Sequence, residues 1–391
     1  QVRDDRSPEE LRSRTVMPGM RMPMTGTSKT TGLLGTALFA GRSQWLKLTA
    51  DIYGLDAFAD MAMYSLDAGV PPMYLVNIGD ARLRNVAVVA EYYTEPATTL
   101  QWRTSVRADY SHRWLANETG RNELLGYFPD APTTLNYLAT GITSTLGMTV
   151  STGATVSLNV ARVQRLPTHI ENYGFYLYSP MDNAIYMGNT ELKPETSWQS
   201  DVSYSITGER GAVKVSLFGT LITNYIAGVT FIEPDPGNAL FSQAFRRYGH
   251  IGQAVITGVE ASVVYRVSNQ LDARSTVSWQ RGRATDIGDD LPFMPPFTGK
   301  LSLVWTGSIA QAEVLSRFAA AQHSYSTSIL NEDATASYAT VDVRGSYSFG
   351  AWASIDIGVD NIFDTYYHEH ASIGNLPALG RNVYVTLEVR Y

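Results

Sequence analysis

The chain closes on Asn382-Val-Tyr-Val-Thr-Leu-Glu-Val-Arg-Tyr391, in which Val383, Val385, Leu387, Val389 and Tyr391 are apolar and Thr386, Glu388 and Arg390 stand between them. A period of two belongs to a β-strand with two unlike faces. The strand ends on an aromatic residue, so what its apolar face meets has to be read from the strands before it.

Working back through the chain, the same alternation predicts fourteen further strands: Thr30–Ala40, Gln44–Tyr53, Ala81–Tyr92, Thr99–Tyr110, Thr134–Leu146, Thr149–Val163, Ser197–Thr207, Ala212–Ile226, Ile256–Arg266, Leu271–Gly282, Gly299–Trp305, Ala312–Ala321, Thr340–Phe349 and Ala351–Phe363. The split is clean where Val341, Val343, Tyr347 and Phe349 oppose Asp342, Arg344, Ser346 and Ser348. Residues 1–29 lack periodicity and read as a loop segment, leaving 30–391 for strands and their connections.

The connections alternate in length. Turns near Gly41, Pro96, Gly147, Glu209, Asn269, Gly307 and Gly350 are short, whereas 54–80, 111–133, 164–196, 227–255, 283–298, 322–339 and 364–381 are long. An antiparallel sheet with one plain end and one elaborate end follows. Sandwiches mix their connections without such regularity, whereas outer-membrane barrels have short periplasmic turns, long extracellular loops and strands that face lipid on one side and a polar lumen on the other. Trp45, Trp102, Trp198, Trp279, Trp305 and Trp352 suit the aromatic girdles of such a barrel. A soluble all-β protein hiding the same faces in a core is the alternative. Fifteen is an odd count, and open edges are not viable in lipid, so the expectation is a miscounted strand or an incomplete barrel.

Composition is consistent with this. Charged residues make up 17% and hydrophobic residues 44% of 391 residues, which excludes a disordered chain. A net charge of −7 without a basic stripe argues against a nucleic-acid partner. No apolar run reaches the length of a spanning helix. With no cysteine there is neither a disulfide framework nor a thiolate metal site. The common catalytic motifs and the phosphate loop are missing, so the chain is not read as an enzyme and no resident cofactor is expected.

Two groups of residues carry possible chemistry. Met20, Met22 and Met24, with Met17, lie in the opening segment, and Met61, Met63 and Met73 in the next long connector. Both fall on the extracellular side when turns are counted back from the C-terminus. Thioether sulfur is soft and selects Cu(I), although methionine also fills gaps in packing. His368 and His370 offer two imidazoles in the last long loop, as metal ligands or as part of a recurrent loop sequence. Asn361 and Asp364 are expected to shape a strand-to-loop turn through local bonds, and Pro194 to set where pairing begins.

Several motifs in order, Arg165-Leu-Pro-Thr-His-Ile-Glu171, Gly188-Asn-Thr-Glu-Leu-Lys-Pro-Glu195, Asn361-Ile-Phe-Asp-Thr-Tyr-Tyr367 and Gly380-Arg381 before the terminal aromatic, resemble the C-terminal barrel of TonB-dependent outer-membrane receptors. The resemblance implies an all-β transmembrane antiparallel barrel of 22 strands, of which fifteen would be the C-terminal part, with plug, TonB box and first strands absent. It implies a location in the outer membrane of a Gram-negative bacterium, lipid around the wall, and coupling to the TonB energy-coupling complex through the plug. The implied activity is active uptake of a scarce small-molecule or metal substrate. Met20-Arg-Met-Pro-Met24 is similar to the corresponding region of copper receptors of this family, which points to copper as the transported substrate; a ferric siderophore or cobalamin is the alternative. A passive porin-like channel and a soluble β-rich binding protein remain as readings of other classes.

Overall fold

The computed structural model describes residues 7–12, 19–67, 69–179, 181–233, 244–372 and 375–390. Fifteen strands form one wall: β1 (Met24–Ala40), β2 (Gln44–Ser65), β3 (Met73–Ala97), β4 (Leu100–Leu115), β5 (Thr134–Ser151), β6 (Ala154–Arg165), β7 (Glu195–Gly208) and β8 (Gly211–Thr223), followed by β9 (Gln253–Ser268), β10 (Leu271–Ala284), β11 (Thr298–Thr306), β12 (Ala310–Ala319), β13 (Tyr338–Ser348), β14 (Ala353–Asp360) and β15 (Asn382–Val389). Each pairs antiparallel with its sequence neighbour, from Met24 opposite Met61 at one edge to Val383 opposite Val359 at the other. Among the described residues no ladder joins β1 to β15, so the sheet has two free edges.

The two faces differ as the alternation requires. Trp198, Val202 and Tyr204 on β7 stand beside Leu221, Leu217 and Val215 on β8, all exposed on the outer face. The opposite face carries a polar ladder. Thr145 donates to Asn159 at 2.8 Å, Asn159 donates to Asp201 at 2.8 Å, and the Ser157 and Ser203 hydroxyls meet at 2.6 Å. Such an arrangement is inside out for a protein in water and correct for one in lipid, where the apolar face needs no cover. Trp102, Trp198, Trp279, Trp305 and Trp352 are exposed. Trp45 departs from the expected girdle. It shares the inner face with Lys47, stacks on Tyr93 at 5.5 Å and has the Arg103 guanidinium 5.8 Å from its ring.

Two expectations need correction. The first long strand begins at Met24 and not at Thr30, behind a two-residue strand Met20–Arg21, and the predicted connector 54–80 is mostly strand, since β2 continues to Ser65 and β3 begins at Met73. Above the lipid level the outer face meets water, so apolar residues give way to Asp56, Asp60 and Arg84. Asp56 pairs with Arg84 at 2.7 Å, and Asp60 accepts from the Tyr74 hydroxyl at 2.5 Å. The period-two contrast disappears there although pairing persists. Tyr391 and Met17 lie outside the described residues.

Long connectors, all at one end, are also more structured than plain loops. Residues 116–133 hold a helix, Glu118–Tyr127, whose N-terminus is capped by the Asn117 side chain accepting from the Gly120 amide. Its first turn lies against β3 so closely that a Cβ on Gly120 would sit 2.5 Å from the Gly79 Cα. A four-stranded sheet, Leu177–Ser179, Ala184–Met187, Ile226–Ile232 and Ala244–His250, is built from two different connectors. Among the described residues no helix is long and apolar enough to cross a membrane.

Candidate functional site at the elaborate mouth

The register of β1, β2 and β3 brings the methionines together. Met24 stands directly opposite Met61, Met63 directly opposite Met73, and Met20, in the short strand Met20–Arg21, opposite Ser65. Directly opposed residues share a face, as do residues two apart. Met61 and Met63 therefore continue the inner face marked by Lys47, Thr49 and Asp51, and Met24 and Met73 join them on it. Met61 is 6% and Met63 1% exposed, whereas Met24 and Met73 flank them at 38% and 46%. Met20 and Met22 are half-buried. The result is two covered sulfurs flanked by two accessible ones, on the lumen side of the extracellular end.

Neighbouring groups hold these strands. The Glu123 carboxylate accepts from the Val76 amide at 3.0 Å and ties the 118–127 helix to β3 three residues beyond Met73. Burial pushes the Glu123 carboxyl above its usual range, although this hydrogen bond acts the other way. Asn77, fully buried, donates to the Phe175 and Tyr176 carbonyls. The mouth of β2 and β3 is thus braced from two long connectors.

His368 and His370 do not join the methionines. They lie between β14 and β15, at the other end of the strand order. Both His368 nitrogens are engaged, Nδ1 with the Asn375 carbonyl at 2.6 Å and Nε2 with the Tyr366 hydroxyl at 3.0 Å. His370 is buried, its Nδ1 3.3 Å from the Thr335 hydroxyl and its Nε2 3.9 Å from Glu332. Burial pulls its pKa below the usual imidazole value, with Glu332 opposing. His368 braces its own loop, and His370 fastens that loop to the 320–337 connector. Among the described residues no group of three His, Asp or Glu side chains is arranged to hold a metal.

The remaining motif residues brace the same end of the wall. Arg165 bridges Glu171 at 2.9 Å and Glu195 at 2.5 Å, and Glu171 closes a capping box with Thr168. Asn361 and Asp364 both adopt positive φ; the Asn361 side chain holds Thr365 in both directions, and Asp364 accepts from the Arg381 amide at 2.7 Å. Asn361 makes the local bonds expected of it, whereas the Asp364 side chain closes the loop on Arg381, seventeen residues on. Asp289 accepts from the Ser326 hydroxyl and from the Thr327, Ser328 and Ile329 amides, which makes it an anchor for the 320–337 loop.

Two features were not legible in the sequence. A tyrosine-lined cavity of 360 Å³ opens at the mouth between the small sheet and the loops around Phe293 and Ile329, with Tyr178, Tyr186, Tyr225 and Tyr248 converging on it. Those tyrosines come from two separate connectors, and no spacing rule links them. On the inner face a cavity of 640 Å³ is lined by Lys214, Glu260, Lys300, Arg317, Tyr338 and His370.

A one-layer antiparallel wall, polar inside and apolar outside, with turns at one end and braced loops at the other, defines a transmembrane β-barrel protein. The chain belongs to the family of TonB-dependent receptor-like β-barrels, whose family model matches residues 24–362. Among solved structures it is similar to the copper transporter OprC, with a TM-score of 0.80 and 17% identity over 96% of this chain and 58% of that one. It is similar as well to the ferric yersiniabactin uptake receptor FyuA of Yersinia pestis (TM-score 0.65, 14% identity, 95% of this chain and 55% of that one). The ferric enterobactin receptor PfeA of Pseudomonas aeruginosa gives a TM-score of 0.59 at 13% identity, over 88% of this chain and 62% of that one. The chain thus spans 55% to 62% of the length of these structures. No curated protein matches the sequence.

Proposed function

We propose that the chain is wall of a TonB-dependent outer-membrane receptor that takes up copper, the methionine group at the mouth being the place where Cu(I) is first held. One observation carries this reading: Met24 opposes Met61 and Met63 opposes Met73 on the inner face, which gathers soft thioether side chains on neighbouring strands. Thioethers suit Cu(I) and have little affinity for hard cations. Copper is substrate in this reading and not a resident cofactor. Fifteen strands with two free edges, in a chain that spans little more than half of its structural relatives, support the further reading that this wall is the C-terminal part of a 22-stranded barrel. The TonB complex and a plug would then act through the rest of the receptor.

The test replaces Met61 and Met63 with Leu in the complete receptor, which conserves volume and removes sulfur. Cu(I) affinity should fall by about tenfold or more, since even changes around metal ligands have effects of that size. Unchanged Cu(I) binding would make the methionines packing residues. A second reading, uptake of a siderophore, is favoured by the tyrosine-lined cavity beside Phe293. Replacing Tyr186 and Tyr248 with Leu would then abolish ferric-siderophore binding and leave Cu(I) binding intact.

A further inference from the structure

On the outer face of β5 to β9 one cross-strand row is made of small residues. Ser144, Val160, Ser200, Gly219 and Thr257 are successive partners across five strands. The row on the plain-end side is large, Leu146, Leu158, Val202, Leu217 and Val259, and so is the row toward the mouth, Ile142, Arg162, Trp198, Leu221 and Val255. An apolar trough of 550 Å³ runs along the small row and is walled on its mouthward side by Ile142, Arg162, Trp198, Leu221 and Val255. Gly219 forms its floor, and a Cβ there would meet nothing within 4 Å.

One residue of the mouthward row is out of place in lipid. Arg162 lies on the outer face, its guanidinium 5.9 Å from the Trp198 ring and donating to the Thr140 hydroxyl at 2.9 Å. Among the described residues no carboxylate reaches it, whereas Arg281, further along the wall, is paired with Asp290 at 3.1 Å. Beyond Arg162 the outward-facing residues turn polar: Gln164, Thr196 and Thr223. Arg162 and Trp198 therefore sit at the outer border of the apolar band, where aromatic and cationic side chains meet head groups. An unpaired cation at that level calls for an anion, and the trough that Arg162 helps to line is apolar and suits a hydrocarbon chain.

We propose that this trough binds a phosphorylated acyl lipid of the outer leaflet, one chain lying over Gly219 and Ser200 and the phosphate on Arg162. The site concerns the wall and its surroundings and is independent of the cargo.

The experiment uses the complete receptor in mild detergent, with lipid A and its dephosphorylated form as probes, and native mass spectrometry as readout. The unaltered receptor should prefer the phosphorylated lipid by about fivefold, the gain one cation brings near an anionic surface. Arg162→Gln should remove this preference and Arg162→Lys should retain it. Gly219→Leu, which enters open space, and Ser200→Leu as an independent variant should weaken both lipids alike. A phosphate preference that survives Arg162→Gln would overturn the proposal, as would unchanged binding of both lipids in both trough-filling variants.

Discussion

Placing an arginine on each face of β8 in turn tests the assignment of faces directly. Leu217 is the seventh of the thirteen residues of β8, and its side chain is 58% exposed on the outer face between Val202 and Val259. At that depth an Arg in lipid costs about 2 to 4 kcal/mol, and the cost falls to about 0 to 1 kcal/mol near either interface. Val213, also outward and beside the turn to β7, should accept Arg at that lower cost. Ser216, on the inner face opposite Glu260, should accept it readily because the new guanidinium meets a carboxylate in a polar lumen already holding Lys214. The assay is urea titration of the receptor refolded into lipid vesicles, read by tryptophan emission. The expected order of destabilisation is Leu217→Arg well above Val213→Arg, with Ser216→Arg smallest. Equal losses at Leu217 and Ser216 would refute the faces, and equal losses at Leu217 and Val213 would refute the membrane depth.

Three smaller predictions concern the mouth. Gly120→Ala drives a methyl group into the Gly79 backbone and should cost about 1 to 3 kcal/mol, seen as faster proteolysis of the 116–133 connector. Asp289→Ala strips the acceptor from five donors, at about 1 to 3 kcal/mol, and should speed amide exchange at Thr327, Ser328 and Ile329. Burial alone would raise the Asp289 carboxyl, but the donated hydrogen bonds from Ser328, Thr327, Ile329 and Ser326 hold it below the usual range. Its anchoring is therefore complete above the ordinary carboxylate pKa and lost only as pH falls through the lowered folded value. His370 responds in the same direction, at higher pH. Its folded pKa lies below that of a free imidazole, so the unfolded loop binds more protons between those two values and stability declines as pH drops below about 6.5. His370→Gln should flatten that part of the profile, measured by limited proteolysis of the 361–381 loop across pH.

Alternation together with the lengths of the connections was enough to outline the wall. Fifteen strands in sequential antiparallel order, short turns at one end, long connectors at the other, and the polar side of β13 with Asp342 could all be read from residue order. The reason is that lipid and lumen impose opposite demands on successive side chains, and each strand inside the apolar band records both. The turn chemistry of Asn361 was local and equally legible, whereas the reach of Asp364 to Arg381 was not. Pairing above the band was not, because there both faces meet water or protein and the contrast that marks a strand is gone. Hence the extension of β2 and β3, the helix over Glu118–Tyr127 and the small mouth sheet emerged only from the tertiary structure. The methionines show the same division. Their clustering in sequence was visible, but the fact that Met24 faces Met61, Met63 faces Met73 and His368 and His370 stand apart depends on register. The β1–β2 ladder runs unbroken from the Gly41 turn to Met24 and Met61, the β2–β3 ladder shifts twice between Ala57 and Asp60 before Met63 meets Met73, and a further slip of one residue would have put the partner sulfurs on opposite faces.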